Sequence, residues 1–165
     1  MTTLSANDTA TQLDAMVASY VRDLEKLPGS QRLSEASLAT VYSMACALLQ
    51  SGQAQQASAY FSFLLLYAPT HPDYLCARAG CALQEGDPQL AADLLSLALH
   101  VQPESCAIAL ALAEALVGTG ATEGARQLLL LVQRLARQPA DAAVLARTEL
   151  LLKTLATGQA DHAAA

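Results

Sequence analysis

The chain has 165 residues, enough for one domain with a sizeable core. Hydrophobic residues make up 53% but aromatics only 4%, and the dominance of Ala and Leu over Val and Ile favours helices over a sheet. A net charge of −6 with scattered Lys and Arg argues against nucleic-acid binding, and no run approaches the roughly 18 consecutive apolar residues of a membrane span, so no direct membrane insertion is expected.

The first residues, MTTLSANDTATQ, lack the basic-then-apolar pattern of a secretory signal. Residues 9–27 place Leu13, Met16, Val17, Tyr20, Leu24 and Leu27 on one helical stripe, and Pro28-Gly29 stops that helix. The stripe is wide enough to pack on a second copy, although it could instead fold back on the chain. The expectation is a weak homodimer through Leu13, Met16, Val17, Tyr20 and Leu24. Residues 1–30 are read as an N-terminal tail and amphipathic helix, and 31–157 as the main domain.

Residues 59–69 read AYFSFLLLYAP and residues 93–103 read DLLSLALHVQP. Both apolar runs close on a proline, Pro69 and Pro103, 34 residues apart. Gly52, Gly86 and Gly120 keep the same period; so do Ala57, Ala91 and Ala125, and Phe61, Leu95 and Leu129. Thirty-four residues is the tetratricopeptide period, a helix–turn–helix unit. In such a unit the small residue lets two helices approach and the large one, four positions later, fills the space between them. An all-α solenoid of three tandem repeats is expected, over about 38–71, 72–105 and 106–139.

The run at 59–69 becomes the second helix of repeat one. It is expected to be apolar nearly all round because it packs on its partner and on the next repeat. Pro72 suits a first turn, with Thr70 as its cap; Asp87-Pro88 reads as an N-cap followed by proline at N1. Pro103-Glu104 is expected to open the next helix, its carboxylate near the positive end of the dipole. Residues 140–156 place Val144, Leu145, Thr148, Leu152 and Leu155 together, as a helix capping the open end of the stack. The tail 158–165, GQADHAAA, is expected to be disordered.

Cys46, Cys76, Cys81 and Cys106 lie in apolar helical patterns without paired spacing, which suits reduced cysteines of a cytosolic protein. His71, His100 and His162 have no Cys, Asp or Glu at metal-ligand spacing on the same helix face. No phosphate loop, nucleophile elbow or zinc-protease motif occurs, and Glu85 and Asp87 meet only in a turn. Neither an enzyme nor a cofactor is expected.

Stacked repeats curve so that their first helices line a concave surface. At helical spacing the inward positions are Ala39, Tyr42, Cys46 and Leu49; then Asp73, Cys76, Gly80 and Leu83; then Ala107, Leu110, Glu114 and Val117. This surface is mostly apolar, with one phenol and two carboxylates. It has no Lys or Arg at these positions to clamp a peptide C-terminus, so an apolar extended peptide is the expected ligand. Cys46, Cys76 and Leu49 also have a plain packing reading. Tyr42 and Glu114 carry polar groups whose unpartnered burial would be costly. The candidate peptide-binding set is Tyr42, Cys46, Leu49, Asp73, Cys76, Leu83, Leu110, Glu114 and Val117.

Three stretches carry a family resemblance: YSMACALLQSG (42–52), AGCALQEGD (79–87) and LAEALVGTGATEGARQLLLLVQRL (112–135). They resemble successive repeats of the class II chaperones of bacterial type III secretion. The first begins and ends as that family's first-repeat helix does; Cys81 matches a cysteine of its second repeat, and Ala113-Glu114 matches its third. The resemblance covers about residues 10–150. The family's groove is richer in aromatics, and Leu49 stands where a tyrosine is usual. The resemblance implies a bacterial cytoplasmic chaperone that holds hydrophobic translocator proteins, keeping them soluble and export-competent. It also implies that an extended cargo segment with spaced proline and leucine anchors lies in the concave groove. Self-association through the N-terminal helix, and no use of nucleotide or metal, are implied too. The alternative is another tetratricopeptide interaction module, such as a needle-subunit co-chaperone or a regulatory scaffold. The helix at 9–27 favours the translocator chaperone, since needle co-chaperones look shorter and lack it.

Overall fold

Three glycines set the architecture. Gly52, Gly86 and Gly120 stand at φ +78°, +80° and +82°, where a side chain would be strained. The residue after each one donates its backbone N–H back across the turn: Gln53 to the Leu48 carbonyl, Asp87 to Ala82 and Ala121 to Leu116, at 2.8–2.9 Å. This closure satisfies carbonyls that a helix end leaves open, and it reverses the chain.

The computed structural model describes residues 33–136 and 141–163, with the backbone alone for 158–163. Its helices are α1 (Glu35–Gln50), α2 (Ala54–Tyr67), α3 (Pro72–Glu85), α4 (Pro88–Val101), α5 (Cys106–Gly118), α6 (Thr122–Leu135) and α7 (Ala142–Ala163). The described residues contain no strand. Three hairpins, α1–α2, α3–α4 and α5–α6, stack in order, and α7 lies on the third. The stripe from Leu13 to Leu27, with the dimerisation residues assigned to it, lies outside the described residues.

The core repeats with the turns. Ala57, Ala91 and Ala125 are fully buried, and Phe61, Leu95 and Leu129 fill the space beside them. Around Phe61 gather Ala45, Leu64, Tyr74 and Cys81; around Leu95 gather Leu75, Ala79, Ile108 and Leu112. Each cluster therefore spans a hairpin and the first helix of the next one, which locks neighbours together. Thr148 is fully buried on α7, and its hydroxyl donates to the Val144 carbonyl at 2.7 Å.

Several local expectations change. The cap of α3 is His71 rather than Thr70; it makes no side-chain cap bond, and its ring stacks on Tyr74 at 4.0 Å. Helix α5 begins at Cys106, after Pro103 and Glu104. There Ser105 Oγ accepts the Ile108 N–H, a short hydroxyl doing what the Pro-Glu pair does not. Asp87 does cap α4, accepting the Leu90 N–H at 2.9 Å. The backbone of α7 runs on to Ala163, through most of the tail expected to be disordered; Ala156, Ala160 and Ala163 favour helix there, and no proline intervenes.

Helix α2 is not covered all round either. Phe61 and Leu64 are buried, but Tyr60, Phe63 and Leu66 are exposed, Leu66 by 76%. Its neighbours α1 and α3 cover two sides, leaving an outer apolar strip on which Phe63 leans against Tyr67 at 5.0 Å. No helix of the described residues is long and apolar enough to cross a membrane.

Candidate functional site: the surface of the first helices

Leu49 of α1 reaches Gly80 of α3. A Cβ placed on Gly80 would lie 3.6 Å from Leu49 Cδ2, an ordinary contact distance, so glycine here leaves room beside the leucine. One turn back on α3 is Cys76; one turn on is Leu83, 40% exposed. On α1 the matching face carries Tyr42, Cys46 and Leu49.

Tyr42 organises this surface. Its ring meets Phe61 edge-on at 5.9 Å and Tyr74 at 5.4 Å. Its hydroxyl shares a hydrogen bond with Cys46 and lies in the field of Asp73 and Cys76. Burial above all, then that hydrogen bond and the neighbouring charges, push the phenol up to about 12. At neutral pH it is therefore a neutral hydroxyl. Burial, with the Asp73 charge, also pushes the Cys76 thiol up, which keeps it protonated and a poor nucleophile. Tyr42, Cys46, Asp73 and Cys76 thus form one cluster, suited to contact and hydrogen bonding. Asp73 is exposed in the first turn of α3 and has no hydrogen bond or ion pair within the described residues.

The third repeat is arranged differently. Leu110 and Val117 pack with Ala113, Ala125 and Leu129, together with Leu151, Leu152 and Leu155 of α7. Glu114 Oε1 accepts a hydrogen bond from Arg147 Nε at 2.7 Å. The carboxylate expected to await a ligand already has a partner in its own chain.

Sequence reasoning missed Tyr74 and Arg147. Tyr74 lies one position outside the inward frame, yet its ring reaches that of Tyr42, with centroids 5.4 Å apart. Its adjacency to Asp73 was the available signal. Arg147 follows Glu114 by 33 residues, one short of the repeat, on a helix read only as a cap. No group of three or more His, Cys, Asp or Glu within the described residues is placed to hold a metal.

A family model for the tetratricopeptide repeat matches residues 82–148. No curated protein matches the chain. Solved structures do. The Yersinia enterocolitica type III secretion chaperone SycD, in complex with a peptide of the translocator YopD, is 22% identical with a TM-score of 0.72, covering 78% of this chain and 99% of that one. PcrH, a protein of Pseudomonas aeruginosa, in complex with the chaperone binding region of PopD, is 22% identical with a TM-score of 0.72, covering 78% and 97%. A type III secretion complex from Aeromonas hydrophila is 21% identical with a TM-score of 0.77, covering 88% and 97%. At these identities the likeness is one of fold: the described residues adopt an all-α architecture of tandem tetratricopeptide-type hairpins, as SycD and PcrH do.

Proposed function

We propose that this chain is a bacterial cytoplasmic chaperone of type III secretion that holds a hydrophobic translocator protein by an extended segment laid across α1 and α3. The observation that carries this reading is the apolar surface on which the half-buried Tyr42, Cys46, Leu49 and Cys76 and the exposed Leu83 lie, with a phenol and a carboxylate in it. Leucine-sized anchors settling between these side chains would each gain about 1.5–3 kcal/mol from burial. Part of that is offset by ordering the segment. The Tyr42 hydroxyl offers a hydrogen-bond partner to a cargo backbone group, and its rigid ring loses little entropy on contact. Covering the segment keeps it from pairing with other apolar chains until export. That SycD and PcrH have been solved holding translocator segments supports the reading. The stripe at Leu13, Met16, Val17, Tyr20 and Leu24 serves a weak homodimer, and a chain truncated before residue 31 would then sediment as a monomer.

The test is Leu83→Glu. It places a charge in the middle of the docked segment, and co-purification of a co-expressed translocator should fall about 100-fold. Circular dichroism should be unchanged, because Leu83 faces outward. Full retention of the translocator by the folded variant would place its binding elsewhere.

A further inference from the structure

Among the described residues no cationic side chain pairs with the acid in this groove; only the positive end of the α3 dipole faces it. Neither α1 nor α2 contains a single Lys, Arg or His. Arg78, the one cation of α3, is turned toward α2, where its Nε donates to Ser62 Oγ at 3.3 Å and its Nη1 lies 3.5 Å from Glu85. Arg147 is held by Glu114. Asp73 is therefore a carboxylate without a counter-charge among the described residues, and it lies close enough to Tyr42, Tyr74 and Cys76 for its charge to act on all three.

A docked apolar segment would strip water from this carboxylate. Leaving it without a partner would offset part of what the anchors beside it gain, unless the segment brings a donor. A lysine or arginine is the fitting donor: it pairs with the carboxylate and lies against electron-rich tyrosine. An acidic residue at the same point would be repelled.

We propose that the groove selects a segment carrying a basic residue beside its apolar anchors, and that Asp73, one turn before Cys76 and adjacent to Tyr74, whose ring meets Tyr42 at 5.4 Å, is the residue that reads it. This rests on the chaperone reading, and the test separates the two. Fluorescein-labelled, amidated peptides carry a pair of leucines two, three or four residues apart. They differ only at one flanking position: lysine, norleucine or glutamate. Binding to the full chain is followed by anisotropy.

The lysine peptide should bind about three- to tenfold more tightly than the norleucine peptide at low salt, with the glutamate peptide weakest. In Asp73→Asn the three should converge, and in wild type about 1 M salt should narrow the differences. Equal binding of lysine and norleucine peptides by wild type overturns the role of Asp73 and leaves the groove standing. So does a preference that survives in Asp73→Asn. Binding of no peptide at any spacing overturns the groove itself.

Discussion

Tyr42, Cys46 and Leu49 on α1 stand two repeat lengths before Leu110, Glu114 and Val117 on α5, at equivalent positions of the same unit. On α1 these side chains are half-buried beside Cys76, Gly80 and Asp73 of the next first helix, which are small or polar. On α5 they look onto α7, which fills the space with Leu151, Leu152 and Leu155 and answers the carboxylate with Arg147. Equal position does not give equal role. All six are half-buried; what differs is the neighbouring helix, with small or polar residues beside the first set and leucines and an arginine beside the second.

The strongest way to break this comparison is to put the same charge on both faces. Leu110→Glu should cost about 3 kcal/mol or more in urea unfolding, since its packing on α7 leaves a carboxylate without a partner. Leu83→Glu should stay within about 0.5 kcal/mol of wild type. Equal losses would mean that α3 is as covered as α5. Next in size is Ala91→Leu. Ala91 is wholly buried in the close approach of α3 and α4, so overpacking there should cost about 1–3 kcal/mol. An unchanged melting temperature would put the repeat register elsewhere.

The Glu114–Arg147 pair should contribute less. Both side chains are partly exposed, so a double-mutant cycle with Glu114→Gln and Arg147→Met should give a coupling of about 0.2–1 kcal/mol that fades in salt. The smallest effect is a titration. The Tyr42 phenol is raised from 10.0 to about 12 in the folded chain. Its contribution to stability is therefore complete below pH 10 and lost as pH rises through about 12. Ultraviolet titration of the folded chain should show a late tyrosine step near pH 12 that Tyr42→Phe removes; persistence of that step would assign it to another tyrosine.

The 34-residue period was legible because each of its marks answers a one-residue demand. A left-handed turn takes glycine, a close helix contact takes alanine, and the space beside it takes Phe or Leu. These demands are local to the hairpin, so sequence alone carries them. Which side chains lie together on the first helices was legible only for α1 and α3. Tyr42, Cys46, Asp73 and Cys76 do come together, but the helical frame treats each repeat in isolation. It could not say that α7 would reach over Leu110, nor that an arginine one residue out of period would find Glu114. The exposed strip on α2 escaped for a related reason: an apolar helix with neighbours on two sides still has a third. The cap at His71 and the start of α5 at Cys106 depended on which hydroxyl or ring the turn brought into reach.

The central claim is that cargo lies on α1 and α3. A photo-reactive benzoylphenylalanine can replace Leu83 on α3 or Leu131 on the outer side of α6, which are exposed to the same degree, 40% and 41%. Each variant is irradiated with a co-purified translocator and the cross-linked cargo is sized on a denaturing gel. The account predicts a strong adduct from position 83 and none from 131. An adduct from 131 with position 83 silent would contradict it.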